Sequence, residues 1–342
     1  MHWNDWIHFA SCLTLRKAIN AGKVCASYYA SGMLKRPMVW GMPFTISVEP
    51  TTSCNLQCPE CPSGLRSFTR PTGYIDLQLF KKIVDENHAH LLYLYFYFQG
   101  EPYLHPQFTD MVRYASDKKI YTVTSTNAHY LTARRALETV QSGLSRILIS
   151  IDGTTQQTYE QYRVGGSLQK VIEGTKRLLD AKKQLRSTTP HIVFQFLVVK
   201  PNEHQIQDVK KLARELGVNE VKYKTAQVYD YKNGNPLIPT LEKFSRYKKQ
   251  TDGTYIFKNR LQNKCWKMWH SNVITWDGRV VPCCFDKDAT HLLGNAATSG
   301  LREIWHSKVY DSFRRKLLKS RSEIDICTNC SEGTRVWIAE DF

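Results

Sequence analysis

From Phe44 onward the chain repeats one unit: a short β-branched or aromatic run, a polar loop, then a segment with helical spacing. Strand-like runs fall at 44–48, 91–98, 121–124, 146–151, 191–199 and 220–226. Helical patterns fall between them, at 79–84, 108–115, 133–140, 168–179 and 206–216. Strands that alternate with helices pair in parallel, so the repeat predicts an α/β fold around a parallel sheet. The strands end in polar or glycine-bearing loops: Glu49 to Cys61, Gln99-Gly100-Glu101, Ser125-Thr126-Asn127 and Asp152-Gly153. In barrel-like βα folds chemistry collects at those C-terminal strand ends.

The flanking segments differ in character. Residues 1–42 mix aromatic and basic residues, with an irregular apolar face at Trp6, Ala10, Leu13 and Ala18 and a second short helix predicted from Tyr28 to Leu34. Such an extension lies either on a membrane surface or on the following domain, and its weak amphipathicity favours the domain. Residues 228–264 lose the alternation and read as a connecting segment. Residues 265–342 form a distinct segment bearing tryptophan and cysteine. The domain reading is therefore 1–42, 43–227, 228–264 and 265–342.

Hydrophobic residues make up 42% and charged residues 23%, which argues against large-scale disorder. The net charge of +16 is scattered, with no arginine-rich tail, zinc finger or aromatic-interleaved basic block, so no nucleic-acid partner is expected. No run of about 18 apolar residues exists, so no transmembrane segment is expected. Asp5, His8 and Arg16 interrupt the N-terminal apolar residues, and no secretory cleavage pattern follows. The expected location is the cytoplasm, where thiols stay reduced.

Ten cysteines in such a chain read as metal ligands, and eight of them lie within 54–61 and 265–330. Cys54, Cys58 and Cys61 have the spacing Cys-x3-Cys-x2-Cys immediately after the first strand. Three soft thiolates leave one iron of a four-iron cluster open to a chelating small molecule. The alternative, a structural zinc, wants a fourth Cys or His, and the loop supplies none. The second set is Cys265, Cys283, Cys284, Cys327 and Cys330. An Asp277-Gly278 turn predicts a hairpin that brings Cys265 and Cys283 together, and a helix from Tyr310 to Leu318 precedes the last pair. By spacing alone, this set suits zinc or a [4Fe–4S] cluster.

The first loop resembles the cluster-binding motif of the radical S-adenosylmethionine (SAM) superfamily. That resemblance implies a partial (βα)6 TIM-like barrel, with a [4Fe–4S] cluster on Cys54, Cys58 and Cys61 that holds SAM and cleaves it to a 5′-deoxyadenosyl radical. Glu60 departs from the family pattern, which has an aromatic or aliphatic residue there. Gln99-Gly100-Glu101-Pro102 resembles the family's Gly-Gly-Glu-Pro segment, which holds the SAM amino group, with Gln99 in place of the first glycine. The resemblance also implies SAM contacts from Ser150 and Asp152, a carboxylate partner in Arg163, and a pocket lined by Thr126 and Asn127.

The segment from Pro282-Cys283-Cys284 to Cys327-x2-Cys330 resembles a SPASM domain, the auxiliary-cluster module of radical SAM maturases. The resemblance implies one auxiliary [4Fe–4S] cluster on Cys265, Cys283, Cys327 and Cys330, with Cys284 as a neighbour or substitute ligand. One auxiliary cluster resembles the radical SAM dehydrogenase of aminoglycoside biosynthesis. The function this implies is a radical SAM oxidoreductase acting on a small polar molecule, of sugar or cyclitol type, and supplied with electrons by a reductant such as flavodoxin or ferredoxin. The alternative is a maturase that oxidises or crosslinks a peptide. A third reading, a non-catalytic metal-binding module, does not account for the SAM-site residues.

Overall fold

The structure, a computed structural model, describes residues 3–259 and 261–331. Two helices come first, α1 (Trp3–Cys12) and α2 (Leu15–Leu34). They are separated at Thr14, whose side chain accepts the Lys17 N–H and caps α2. The predicted helix at 28–34 is thus the end of one 20-residue helix. The repeat then runs β1 (Thr45–Val48), α3 (Pro62–Leu65), α4 (Leu77–Asn87), β2 (Tyr93–Tyr95), α5 (Phe108–Asp117), β3 (Tyr121–Thr126), α6 (Ala133–Gln141) and β4 (Arg146–Ser150). It continues through α7 (Gln156–Tyr162), α8 (Leu168–Gln184), β5 (His191–Val198), α9 (Ile206–Leu216) and β6 (Glu220–Thr225). The six strands pair in parallel in sequence order, the open barrel that the alternation predicts.

Strand alternation divides the sheet into two faces. Leu94, Phe96, Ile147, Ile149, Ile192, Phe194 and Phe196 pack with the helices in the main core. The concave face carries Tyr95, Tyr97, Val123, Leu148 and Val193, and Phe9 and Cys12 of α1 pack on it. Asp5 of the same helix is buried there and binds Arg146 and the Tyr121 hydroxyl. These are residues at the N-terminal ends of β3 and β4, so α1 closes that end of the barrel and leaves the C-terminal end for chemistry.

The connecting segment holds a small antiparallel pair, β7 (Tyr247–Lys249) and β8 (Tyr255–Phe257), around an Asp252-Gly253 turn. Tyr247 anchors it, stacked on Tyr231 and bonded through its hydroxyl to Val228 O and Asn329. Beyond it come α10 (Lys267–His270), β9 (Ser271–Ile274), β10 (Arg279–Val281), β11 (Gly294–Asn295), α11 (Leu301–Trp305) and α12 (Lys308–Ser320). The predicted hairpin is present, with Gly278 at φ +85° in its turn. Its first strand pairs in parallel with β1. One nine-stranded sheet therefore runs through both parts of the chain.

Candidate metal and SAM centre

Cys54, Cys58 and Cys61 lie on the loop that leaves β1, and the neighbouring strand ends meet their sulfurs. Asn127 Nδ2, after β3, is 3.9 Å from Cys54 Sγ. Arg163, at the end of α7, places NH1 3.7 Å from Cys58 Sγ. The Cys61 thiol lies 3.9 Å from Gln99 Oε1, beyond β2. Three cysteines and three of the SAM-site residues are thus brought to one place. Burial raises the thiol pKa of Cys54 to about 12 and pushes that of Cys58 up as well. Thiolates there need a compensating cation, as metal coordination provides.

Gly100 fixes the loop. It sits at φ +74°, and a Cβ there would stand 2.1 Å from Thr51 O. Its N–H donates to Ser63 Oγ at 2.9 Å, and the Glu101 N–H donates to Ser53 O at 2.8 Å. Gln99 has no such backbone demand, so the missing first glycine is tolerated. Pro102 opens a short 3-10 turn over Pro102–Leu104.

The Glu101 carboxylate is fully buried and accepts from Thr126 Oγ1 at 2.6 Å, Asn127 N at 2.8 Å and Tyr103 N at 3.2 Å. Burial raises its pKa, and these donors work against that rise. Its contacts couple the ends of β2 and β3. Asp152 is also buried. It pairs with Arg163 Nε and accepts the Leu197 N–H at 2.7 Å, which joins β4 to β5. Ser150 stands on the concave face in register with Gln195. Glu60 accepts the Tyr229 N–H at 3.0 Å, so this departure from the family pattern ties the cluster loop to the connecting segment.

The second set also converges. Cys265, Cys283, Cys327 and Cys330 line one pocket, with Lys267, Met268, Phe285 and Arg321 among its other walls; Cys284 does not line it. Among the described residues no three Cys, His, Asp or Glu side chains close on one point for a single metal ion. Four thiols lining one pocket are a ligand set that a [4Fe–4S] cluster accepts.

Sequence reasoning missed two polar groups here: Arg321, which lines this pocket, and Tyr310, which lies near its cysteines. Arg321 is buried, with NH2 3.4 Å from Cys330 Sγ, and the charges of Cys265, Cys330 and Cys327 raise its pKa against the effect of burial. The Tyr310 hydroxyl is buried with no partner among the described residues, and it interacts electrostatically with Cys283 and Cys265. A cation and a spare donor suit a negatively charged iron–sulfur group. No motif marks either residue: Tyr310 lies within α12 and Arg321 directly follows it.

A further missed cluster joins the segment after β1 to the C-terminal segment. Arg70 and Glu49 form a buried bidentate pair at 2.9 and 2.6 Å, and Arg70 lies over the Phe68 ring. Trp276 N donates to the same Glu49 carboxylate, and Arg70 Nε donates to Lys287 O.

Comparison with known proteins agrees with this geometry. Residues 48–216 match the radical SAM superfamily and residues 265–331 match SPASM, an iron–sulfur cluster-binding domain. The chain belongs to the radical SAM superfamily and carries a SPASM domain, so its cofactors are a [4Fe–4S] cluster, SAM and auxiliary iron–sulfur. It is similar to the tungsten-containing aldehyde ferredoxin oxidoreductase cofactor-modifying protein of Pyrococcus furiosus, with 29% identity over 83% of this chain and 86% of that one. It is also similar to the PqqA peptide cyclase of Rhodopseudomonas palustris, with 26% identity over 78% and 74%. Among solved structures, BtrN in complex with AdoMet and 2-DOIA shares the fold, with TM-score 0.54 and 18% identity over 88% of this chain and 97% of that one. Streptococcus suis SuiB bound to precursor peptide SuiA also shares it, with TM-score 0.62 and 13% identity over 86% and 70%. No described helix is long and apolar enough to cross a membrane.

Proposed function

We propose that this enzyme is a radical SAM oxidoreductase acting on a small polar substrate of sugar or cyclitol type. The observation that carries this reading is a pocket lined by four cysteines, on a segment whose strands continue the sheet of the SAM-site strands. The C-terminal segment has five cysteines, Cys265, Cys283, Cys284, Cys327 and Cys330, enough for one further fully cysteine-held cluster and too few for two. When bound, these groups supply a hydrogen-abstracting radical and a sink for one more electron, which together make an oxidation.

The chain's own residues supply position and polarity. Cys54, Cys58 and Cys61 hold the first group, and Cys265, Cys283, Cys327 and Cys330 the auxiliary one. Gln99, Asn127 and Arg163 surround the SAM site, while Glu101 and Asp152 fix the strand ends that carry them. Tyr223 of β6 faces the helices, bonding Ile206 O, so Lys222 and Lys224 face the barrel interior. With Tyr95, Tyr97, Ser125, Ser150 and Gln195 they give a concave wall rich in hydrogen-bonding groups, suited to a polar substrate. Electrons arrive from a flavodoxin- or ferredoxin-type reductant.

A second reading, a peptide-modifying maturase, is favoured by the similarity to a peptide cyclase. The reduced, reconstituted protein separates the two when given SAM with carbon-deuterated sugars and cyclitols or with deuterated peptides. The proposal expects deuterium in 5′-deoxyadenosine from the former and a product lighter by two hydrogens. Label arriving from peptides alone transfers the assignment to the maturase.

A further inference from the structure

The two N-terminal helices are inside out. Along α2, Leu15, Ile19, Gly22, Ala26, Tyr29 and Met33 recur at helical spacing and are all exposed. Met33 is 83% exposed and Leu15 78%, more than a helix docked on a single core leaves of its large apolar side chains. The opposite face of the helix is the buried one, and much of it is polar. Lys17 donates to the carbonyls of Cys12 and Lys119, Asn20 exchanges two hydrogen bonds with the Met42 backbone, and Ser31 accepts from Trp269 Nε1 at 3.1 Å. Only Val24 and Tyr28 add large apolar contacts there. In α1, Asp5 and Cys12 are buried while Trp3, Trp6 and Ile7 are exposed.

Charge narrows the partner. Between Trp3 and Trp40 the exposed charged residues are Arg16, Lys23, Lys35 and Arg36, all basic; the single acid, Asp5, is buried against Arg146. Exposed tryptophan, leucine, isoleucine and methionine, flanked by cations and free of exposed acid, form the chemistry of a surface that enters the headgroup layer of an anionic bilayer. Tryptophan suits that layer because its ring is apolar and its N–H polar. Lysine and arginine at the margins of the stripe extend to lipid phosphates while their stems stay in contact with acyl chains.

We propose that α1 and α2 form a peripheral docking surface for an anionic lipid membrane, on which the barrel rests by its closed end. A protein partner of matching shape would normally bring acidic side chains to balance four cations, or a second copy would bring four more of the same sign against them. A lipid surface supplies the opposite charge without a fixed pattern.

Sedimentation of the full-length, cluster-loaded protein with vesicles tests this. Vesicles of phosphatidylcholine with one-fifth phosphatidylglycerol should carry the protein down at low salt, and pure phosphatidylcholine should bind at least tenfold more weakly. Added salt should weaken binding to the anionic vesicles. The double variant Ile19→Glu/Met33→Glu should lose at least tenfold in vesicle binding, with unchanged helical circular dichroism and SAM cleavage. Equal binding by wild type and variant overturns the proposal, as does failure to sediment with anionic vesicles. A concentration-dependent dimer that the double variant dissolves, without vesicle binding, replaces the lipid with a second copy.

Discussion

Replacing Gly100 with alanine tests the construction of the SAM site most directly. At φ +74° any L-residue pays about 1–2 kcal/mol for the left-handed conformation. The new Cβ would also stand 2.1 Å from Thr51 O and 2.9 Å from Ser53 O, the first about 0.9 Å inside the 3.0 Å below which real Cβ atoms do not approach. Both obstacles are backbone of the cysteine loop, so relief requires moving that loop rather than a side chain. Overpacking of this kind costs about 1–3 kcal/mol, giving a loss of roughly 2–5 kcal/mol in all. A shift near 1 Å at a positioning segment is worth about a hundredfold in rate. Gly217 is the internal control: its φ is +81°, but a Cβ there meets nothing within 4 Å. Iron and sulfide analysis with urea unfolding reads the comparison. Gly217→Ala should lose only the conformational cost and retain about eight irons, the number for two cubanes. Gly100→Ala should fall toward four, keep the auxiliary cluster and cleave SAM at least a hundredfold more slowly. Full iron content, with stability equal to that of Gly217→Ala, would refute the clash argument.

The auxiliary pocket distinguishes two adjacent cysteines. Cys283→Ser should reduce iron from about eight to about four, while Cys284→Ser should keep all of it; the reverse pattern would reassign the ligand. Removing the Arg321 cation should make the auxiliary cluster harder to reduce. Spectroelectrochemistry of Arg321→Gln should show a midpoint lowered on the order of 100 mV, for a charge a few ångströms from the sulfurs at moderate dielectric, and an unchanged or raised potential would sink that role. His90 is buried, and burial, with Arg302 and Arg16 adding repulsion, pushes its pKa down to about 4. As pH falls below about 6.5 the unfolded chain takes up a proton that the folded one refuses, so stability drops by about 1.4 kcal/mol per unit until pH reaches the folded pKa. His90→Gln removes this loss. Denaturant curves should therefore show the variant gaining about 2 kcal/mol on wild type between pH 6.5 and 5, and a constant difference would disprove it.

The barrel was legible because its strands and helices differ in period and because glycine, proline and polar residues mark their ends. Helix Ile206–Leu216 matches its sequence boundaries, since Gly217 ends it in the left-handed conformation that favours glycine. The three-cysteine loop was legible for a chemical reason, as thiolate spacing is set by the metal group rather than by packing. Other features carry no such signal. The sequence marks only the end of helix α2, because its apolar stripe faces solvent and its lysine and serines face inward, the opposite of the usual pattern. The β7–β8 pair has no strand signal because Tyr-Lys-Lys and Tyr-Ile-Phe are each too short to show a period of two, although Asp252-Gly253 marks its turn. Neither Arg321 nor the Glu49–Arg70 pair could be found by periodicity, since each acquires its meaning from partners that only the tertiary fold brings to it.

The parallel pairing of β9 with β1 has a further consequence. Strand β1 ends in the cysteine loop, and its backbone is shared between β2 on one side and β9 on the other. A gene truncated near residue 264 would encode every ligand of the first site, yet it would leave β1 as a bare edge directly beneath Cys54, with unpaired amides and carbonyls open to aggregation. Here the sheet crosses the family boundary near residue 265, so the SPASM segment covers the edge of the strand from which the first metal loop leaves.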